Sequence, residues 1–248
     1  MGTDRLAGRV AVVTGGTGGL GAAFAAAMRD AGATVVTCDI ADGADDVVDV
    51  SHAHQVRRFV DGVMHAHGRI DIAVANAGIA RRTWPLDPWD KAIADFDAVI
   101  GTNLRGVFLL GRAVAPIMAA AGGGDIVVVS TDHVLPPPGR PTGAPGAPVM
   151  DVYDASKWAL RGLVEAWSRA LAPQHVRVNA LCMDATDTPM IRNFIGDRLT
   201  PDMTTNWLRP EDIAEVMVQL IDEGPEGRTG EHLGFWVDHP VVLPPRVG

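Results

Sequence analysis

Short apolar runs rich in β-branched residues recur along the chain, and stretches with helical character separate them. Residues 9–14 (Arg-Val-Ala-Val-Val-Thr) read as a buried strand that stops at a glycine cluster. Ala-rich residues 20–31 favour helix, and Gly32 supplies a C-cap. Strands follow at 34–39, 70–75, 126–129, 176–181 and 233–237. Helices lie between them at 51–67, 91–121 and 152–171, and one more opens at Pro210-Glu211-Asp212, where proline and acids suit a first turn. This alternation predicts βαβ units. The expected fold class is α/β: a doubly wound, mostly or fully parallel sheet flanked by helices on both faces. No internal repeat or linker divides the chain, so residues 1–248 are expected to form a single domain.

One segment breaks the pattern. Residues 136–148 hold six prolines and three glycines, which suits neither helix nor central strand. A loop at the carboxyl end of a parallel strand lies beside the ligand crevice, so this one is expected to wall or cover a substrate.

The turn after the first strand carries the first candidate chemistry. Thr14-Gly15-Gly16-Thr17-Gly18-Gly19-Leu20-Gly21 joins strand to helix, where glycines admit a close backbone approach and the helix start offers amides and a positive dipole end. Asp39 closes the second strand 18 residues after Gly21. A carboxylate there accepts bonds from both ribose hydroxyls of an adenosine and repels a 2′-phosphate. The loop has no Arg or Lys, and Ile40 follows Asp39, so NAD is expected in preference to NADP.

Composition sets outer limits. With 47% hydrophobic and 21% charged residues the chain is of globular type, which excludes disorder. It lacks an uninterrupted run of 18 apolar residues, so no transmembrane span is expected. The run at 10–13 is too short for a signal-peptide core, and a cytoplasmic location is expected. A formal charge of −9 argues against nucleic acid as a partner. Cys38 and Cys182 sit in apolar runs without ligand spacing and read as buried free thiols.

The chain has a single tyrosine, Tyr153, four residues before Lys157 on one predicted helix face. A free phenol titrates near pH 10, too high for a base at neutral pH. A cation about 4 Å away at an effective dielectric near 20 contributes roughly 4 kcal/mol, about three pKa units. An ammonium and a positive nicotinamide ring could together bring the phenol into working range.

Thr14-Gly15-x-x-x-Gly19-x-Gly21, Asn76-Ala77-Gly78, Asn103 and Tyr153-x-x-x-Lys157 occur in one order and at one spacing. In this the chain resembles the short-chain dehydrogenase/reductase family, from about Arg9 to Asp238. The resemblance implies a Rossmann fold, a nicotinamide cofactor and a homotetramer or homodimer. It implies NAD-dependent interconversion of a secondary alcohol and a ketone, with Tyr153 as general acid/base. It places Asp49 and Val50 near the adenine, lines the cofactor with Asn76, Ala77 and Gly78, gives Lys157 the nicotinamide ribose, and has Asn103 anchor a water in the proton relay. Asp184, Thr186 and Thr188 fall on its cofactor side, and residues 185–209 form its mobile substrate flap.

Two departures bear on the site. The family's catalytic serine falls, in register, on Thr131 rather than Ser130. Threonine keeps the hydroxyl but has a stiffer side chain. Met183-Asp184 replaces the family's Pro-Gly, so Asp184 either meets substrate or faces solvent. His133, Asp184 and Trp207 are further substrate candidates, and Met190, Phe194 and Ile195 offer apolar surface. Arg81, Arg82 and Trp84 either border the substrate or form a solvated loop. No metal is expected: His52/His54 and His65/His67 are spaced two apart, which on a helix points the pair away from one ion. A catalytically silent, NAD-binding sensor or structural protein on the same fold is the alternative reading. A sugar-nucleotide epimerase or dehydratase fits the short chain and the glycine spacing less well.

Overall fold

The computed structural model describes residues 4–139 and 150–246. Seven strands form one sheet: β1 (Val10–Thr14), β2 (Thr34–Asp39), β3 (Asp46–Val47), β4 (Ile72–Ala75), β5 (Gly124–Thr131), β6 (Val176–Met183) and β7 (His232–Phe235). The helices are α1 (Gly19–Asp30), α2 (Ala53–His67), α3 (Trp89–Val99), α4 (Val107–Ala121), α5 (Asp151–Leu171), α6 (Pro189–Ile195), α7 (Pro201–Thr204) and α8 (Pro210–Asp222). The spatial order is β3-β2-β1-β4-β5-β6-β7, and each neighbouring pair is parallel. This is the doubly wound fold expected.

A parallel sheet is buried on both faces, which explains why its strands read as continuous apolar runs rather than alternating ones. On one face Phe24 and Met28 of α1 pack with Ile213 and Met217 of α8 and with Phe235. On the other, Phe59 of α2, Leu110 and Met118 of α4, and Leu160 and Val164 of α5 close a second core. Trp89–Ala121 is a helical stretch of 33 residues, long and apolar enough by length and composition to cross a membrane. Here it runs along the sheet with Val114 and Met118 fully buried, so its apolar side serves this second core.

The chain order reverses between β1 and β4, which opens a crevice at their carboxyl ends. Beside it, residues Ile100–Gly106 form a π-helical segment between α3 and α4, with Asn103 at its centre. Such wide turns bend a helix and re-aim its side chains.

Five elements differ from the sequence reading. β3 has two residues, too few for any periodicity to reveal. β5 extends beyond 126–129 to Thr131, and β6 beyond 176–181 to Met183, because their ends pair with each other despite carrying polar residues. The 185–209 segment holds two short helices, each starting at a proline, and both were hidden by their length. Of the 136–148 loop, residues 140–149 lie outside the described residues.

Candidate active site

The glycine loop is shaped by what its backbone touches. Gly15 has φ +65°, and a Cβ built on Gly21 would lie 1.9 Å from the Gly15 carbonyl oxygen, so α1 seats directly on the turn. α1 begins without a side-chain cap and without an acid in its first turn. Its free amides therefore face the cleft in a positive field, as a pyrophosphate requires. Thr14 and Gly21 were expected to touch cofactor, but neither lines the cleft. The Thr14 hydroxyl instead accepts the amides of Asn76 and Ala77, both at 3.1 Å, and so locks the β1 and β4 ends together. The Asn76 side chain adds a bond to the Gly15 carbonyl at 2.9 Å.

Asp39 accepts the Thr17 hydroxyl at 2.6 Å and the Thr17 amide at 3.1 Å, which orients its carboxylate across the loop. Partial burial pushes its pKa up, but the bonds from Thr17, Ala41 and Ile40 outweigh burial and hold it below the usual carboxylate range. Gly15, Thr17, Gly19, Leu20, Asp39, Ile40, Asp49, Val50, Asn76, Ala77, Gly78, Thr186 and Thr188 border one continuous cleft of about 1220 Å³. The Asp49 carboxylate is engaged by the Ser51 amide at 2.9 Å and hydroxyl at 2.7 Å. This strip of loop amides ending in a ribose-directed carboxylate fits a dinucleotide.

At the far end of the same cleft lie Thr131, Tyr153 and Lys157. Thr131, not Ser130, is the hydroxyl that acts on the Tyr153 phenol, in the direction that lowers its pKa, while Ser130 acts on Cys182; the Thr131 hydroxyl itself donates to Asp132 at 3.1 Å. The register expected from sequence therefore puts the right hydroxyl at the tyrosine. Burial pushes the phenol up to about 12, Asp132 and Asp154 push the same way, and the Thr131 hydroxyl opposes them.

Lys157 does not lower that value in the way expected. Its Nζ reaches the Val129 carbonyl at 2.9 Å and stands 5.7 Å from the Tyr153 ring centre, and burial brings its own pKa down to about 8. The lysine's charge is spent on a strand carbonyl, and desolvation dominates at both groups. Below about pH 8 the lysine is protonated whether folded or unfolded, so the folded chain bears the cost of burying the charge. From 8 to 10.5 only the unfolded chain keeps the proton, and that cost fades. Against Lys157→Met, the relative stability of the natural protein should therefore rise by about 2–3 kcal/mol across this window. Denaturant unfolding of both proteins at its two ends measures this, and a constant difference would refute it.

Asn103 is wholly buried and does not line the cleft. Its amide oxygen accepts the Ile79 N–H at 2.8 Å, and its amide nitrogen donates to the Ile79 carbonyl at 3.0 Å and to Ser156 at 3.2 Å. The Ser156 hydroxyl in turn donates to the Tyr153 carbonyl at 2.6 Å. The carboxamide is thus a clamp that ties α5 to the Ile79 segment and helps set the position of the phenol.

Asp184 borders the cleft, with its carboxylate held by backbone amides. It accepts the Ala185 amide at 2.6 Å and the Val237 amide at 3.4 Å, tying the end of β6 to the chain after β7. The flap is pinned at its base, where Leu208 donates to Ala185 and Asp187 to Leu208, both at 2.9 Å. Met190 and Phe194 of the flap line the cleft, whereas Ile195 and Trp207 do not. Trp207 packs with Arg192, whose guanidinium lies 5.8 Å from its ring. Arg81 borders the cleft; Arg82 instead donates to the Phe194 carbonyl at 2.6 Å, and Trp84 is exposed.

His133 lines the cleft beside Tyr153, and its Nδ1 meets Asp154, a residue the sequence reading passed over, at 2.6 Å. The missed signal was position: Asp154 directly follows the tyrosine. His52 and His54 do approach, 6.2 Å between ring centres, because His52 is the N-cap and lies outside the helix. Among the described residues no group of three His, Cys, Asp or Glu side chains could hold a metal ion. Cys38 and Cys182 are buried and free.

A parallel doubly wound sheet, a glycine turn at its reversal point and a half-buried tyrosine beside a buried lysine define a nucleotide-dependent oxidoreductase class. The short chain dehydrogenase family model matches residues 9–198, and the chain belongs to that family of nicotinamide-dependent oxidoreductases. It is 31% identical to the 3-oxoacyl-acyl-carrier-protein reductase FabG of Thermotoga maritima over 93% of this chain and 97% of that one. It is 34% identical to cis-4-hydroxycyclohexanecarboxylate dehydrogenase of Sinomonas cyclohexanicum, covering 89% and 92%. The crystal structure of levodione reductase superposes with a TM-score of 0.78 at 26% identity, covering 92% and 96%.

Proposed function

We propose that the protein interconverts a secondary alcohol and a ketone with NAD as its cofactor and Tyr153 as general acid/base. One observation carries this reading: a single cleft is lined both by the Asp39-bound glycine loop and by Thr131, Tyr153 and Lys157. Asp39, negative and without a cationic neighbour in the loop, supports NAD over NADP. When bound, the oxidised cofactor supplies a hydride acceptor and a positive ring beside the phenol.

In this reading the substrate oxygen sits between the Tyr153 and Thr131 hydroxyls. During oxidation the phenolate accepts the alcohol proton; during reduction the phenol returns it. The Thr131 hydroxyl donates to the same oxygen and holds it in line. Lys157 keeps α5 docked on β5 through Val129, and Asn103 fixes the tyrosine backbone through Ser156. Exposed Phe96, Phe108 and Trp158 support the homodimer or homotetramer implied by the resemblance.

The test is a panel of secondary alcohols assayed with NAD and with NADP, alongside calorimetric binding of both cofactors. NAD-linked turnover of at least one member supports the proposal. NAD binding without turnover of any member would favour the catalytically silent reading.

A further inference from the structure

The proposed chemistry leaves one pair of cleft side chains without a task. His133 lies two residues beyond Thr131 and Asp154 one beyond Tyr153, so each hydroxyl of the reacting pair has a polar neighbour. The His133 and Tyr153 rings stand edge to face, with centres 6.0 Å apart and planes at 80°. His133 Nδ1 is committed to Asp154 at 2.6 Å. A ring nitrogen so held fixes the tautomer and leaves Nε2 to meet a ligand. Among the described residues Nε2 makes no hydrogen bond. Asp154 raises the His133 pKa against the effect of burial, with Asp132 and Asp184 adding to the rise; a hydroxyl, which both donates and accepts, suits Nε2 in either protonation state.

The surroundings narrow what Nε2 can bind. Asp132, Asp151, Asp154 and Asp184 border this half of the cleft, and Asp154 offsets the imidazolium charge. An anionic substituent would meet a field of its own sign. The cations on the cleft are engaged elsewhere, Arg81 facing Asp95 at 3.9 Å and Lys157 on the Val129 carbonyl, and Met150, Trp158, Met190 and Phe194 add apolar wall. The partner chemistry is therefore an uncharged oxygen on a compact carbon skeleton. With the reacting oxygen on Tyr153 and Thr131, the carbon next to the reacting one comes alongside the imidazole.

We propose that His133, oriented by Asp154, binds a hydroxyl on that neighbouring carbon, so that the substrates are neutral vicinal diols and the corresponding α-hydroxy ketones. This rests on the alcohol–ketone reading of the same cleft. In the oxidative direction one O–H bond gives its proton to Tyr153 and the C–H bond on the same carbon gives a hydride to NAD. The second hydroxyl leaves unchanged, and the products are the hydroxy ketone, NADH and a proton. His133 is then a specificity residue.

The test compares cyclohexane-1,2-diol, cyclohexanol and 2-hydroxycyclohexanecarboxylate as substrates of the natural protein and of His133→Leu and His133→Gln. A hydrogen bond to the imidazole is expected to favour the diol over cyclohexanol by about threefold to tenfold in kcat/KM. In His133→Leu that ratio falls toward one, and His133→Gln, which keeps a donor, restores part of it. Equal use of diol and cyclohexanol by the natural protein, a preference for the carboxylate, or an unchanged ratio in His133→Leu would overturn the inference and leave the alcohol–ketone reading standing. NAD binding with no turnover of any alcohol would instead remove the reading beneath it.

Discussion

Replacing Tyr153 with Phe is expected to lower kcat on a secondary alcohol by about a hundredfold to ten-thousandfold, the usual contribution of a positioned acid/base. The ring survives this change, so the packing against His133 and the fold of α5 should persist. What disappears is the hydroxyl that Thr131 acts on and that exchanges the substrate proton. No other tyrosine exists in the chain to substitute for it. The loss should fall on kcat, with NAD affinity by calorimetry changed less than about threefold, since a transition-state interaction is removed and a ground-state one is not. Turnover retained within a factor of about ten would contradict the assignment.

The second large effect concerns the adenosine end. The natural protein should use NAD at least about tenfold more efficiently than NADP, because a carboxylate close to a 2′-phosphate costs up to roughly 4 kcal/mol per charge pair at an effective dielectric near 20. Solvent at the partly exposed Asp39 reduces this to about 1–2 kcal/mol. The carboxylate is held ionised by Thr17 and Ala41, so the discrimination should not fade across the neutral range. In Asp39→Ser the ratio of NAD to NADP efficiency should fall at least about tenfold, through loss of the ribose bonds and of the repulsion together. Equal use of both cofactors by the natural protein would refute the role given to Asp39.

These predictions draw on features that sequence reveals to different degrees. The glycine turn, Asp39 and the Tyr153–Lys157 pair are local in sequence, and a strand–turn–helix pattern or a helical spacing is enough to place them. Thr131 was also legible, since β5 ends where its register requires. The functions of Thr14, Gly21 and Asn103 were not. Each acts on the protein's own backbone or side chains: Thr14 on Asn76, Gly21 on Gly15 across the turn, Asn103 on Ile79 and Ser156. A motif marks such residues as required without separating contact with a ligand from support of the residue that makes it.

Asp184 and Trp207 make contacts that sequence does not show. A carboxylate in place of glycine suggests new chemistry, yet two backbone amides absorb it. An aromatic in a flap suggests a ligand wall, yet Arg192 covers it. The influence of Lys157 on the phenol was misjudged for an electrostatic reason. Helical spacing gives the face but not the reach of a four-carbon stem, which here ends on the Val129 carbonyl. Burial then sets both titrations, and the charge that activates the tyrosine has to arrive with the cofactor.

That dependence gives the account its most direct test. Because Tyr153 is the chain's single phenol, phenolate ultraviolet absorbance followed against pH reports on this one side chain. Without cofactor the phenol should ionise far above its ordinary value of 10.0, toward about 12. With saturating NAD its pKa should fall by at least about one unit, as a positive charge beside it requires. A phenol that ionises near its ordinary value in the free protein, or that titrates identically with and without NAD, would contradict Tyr153 as the cofactor-activated acid/base.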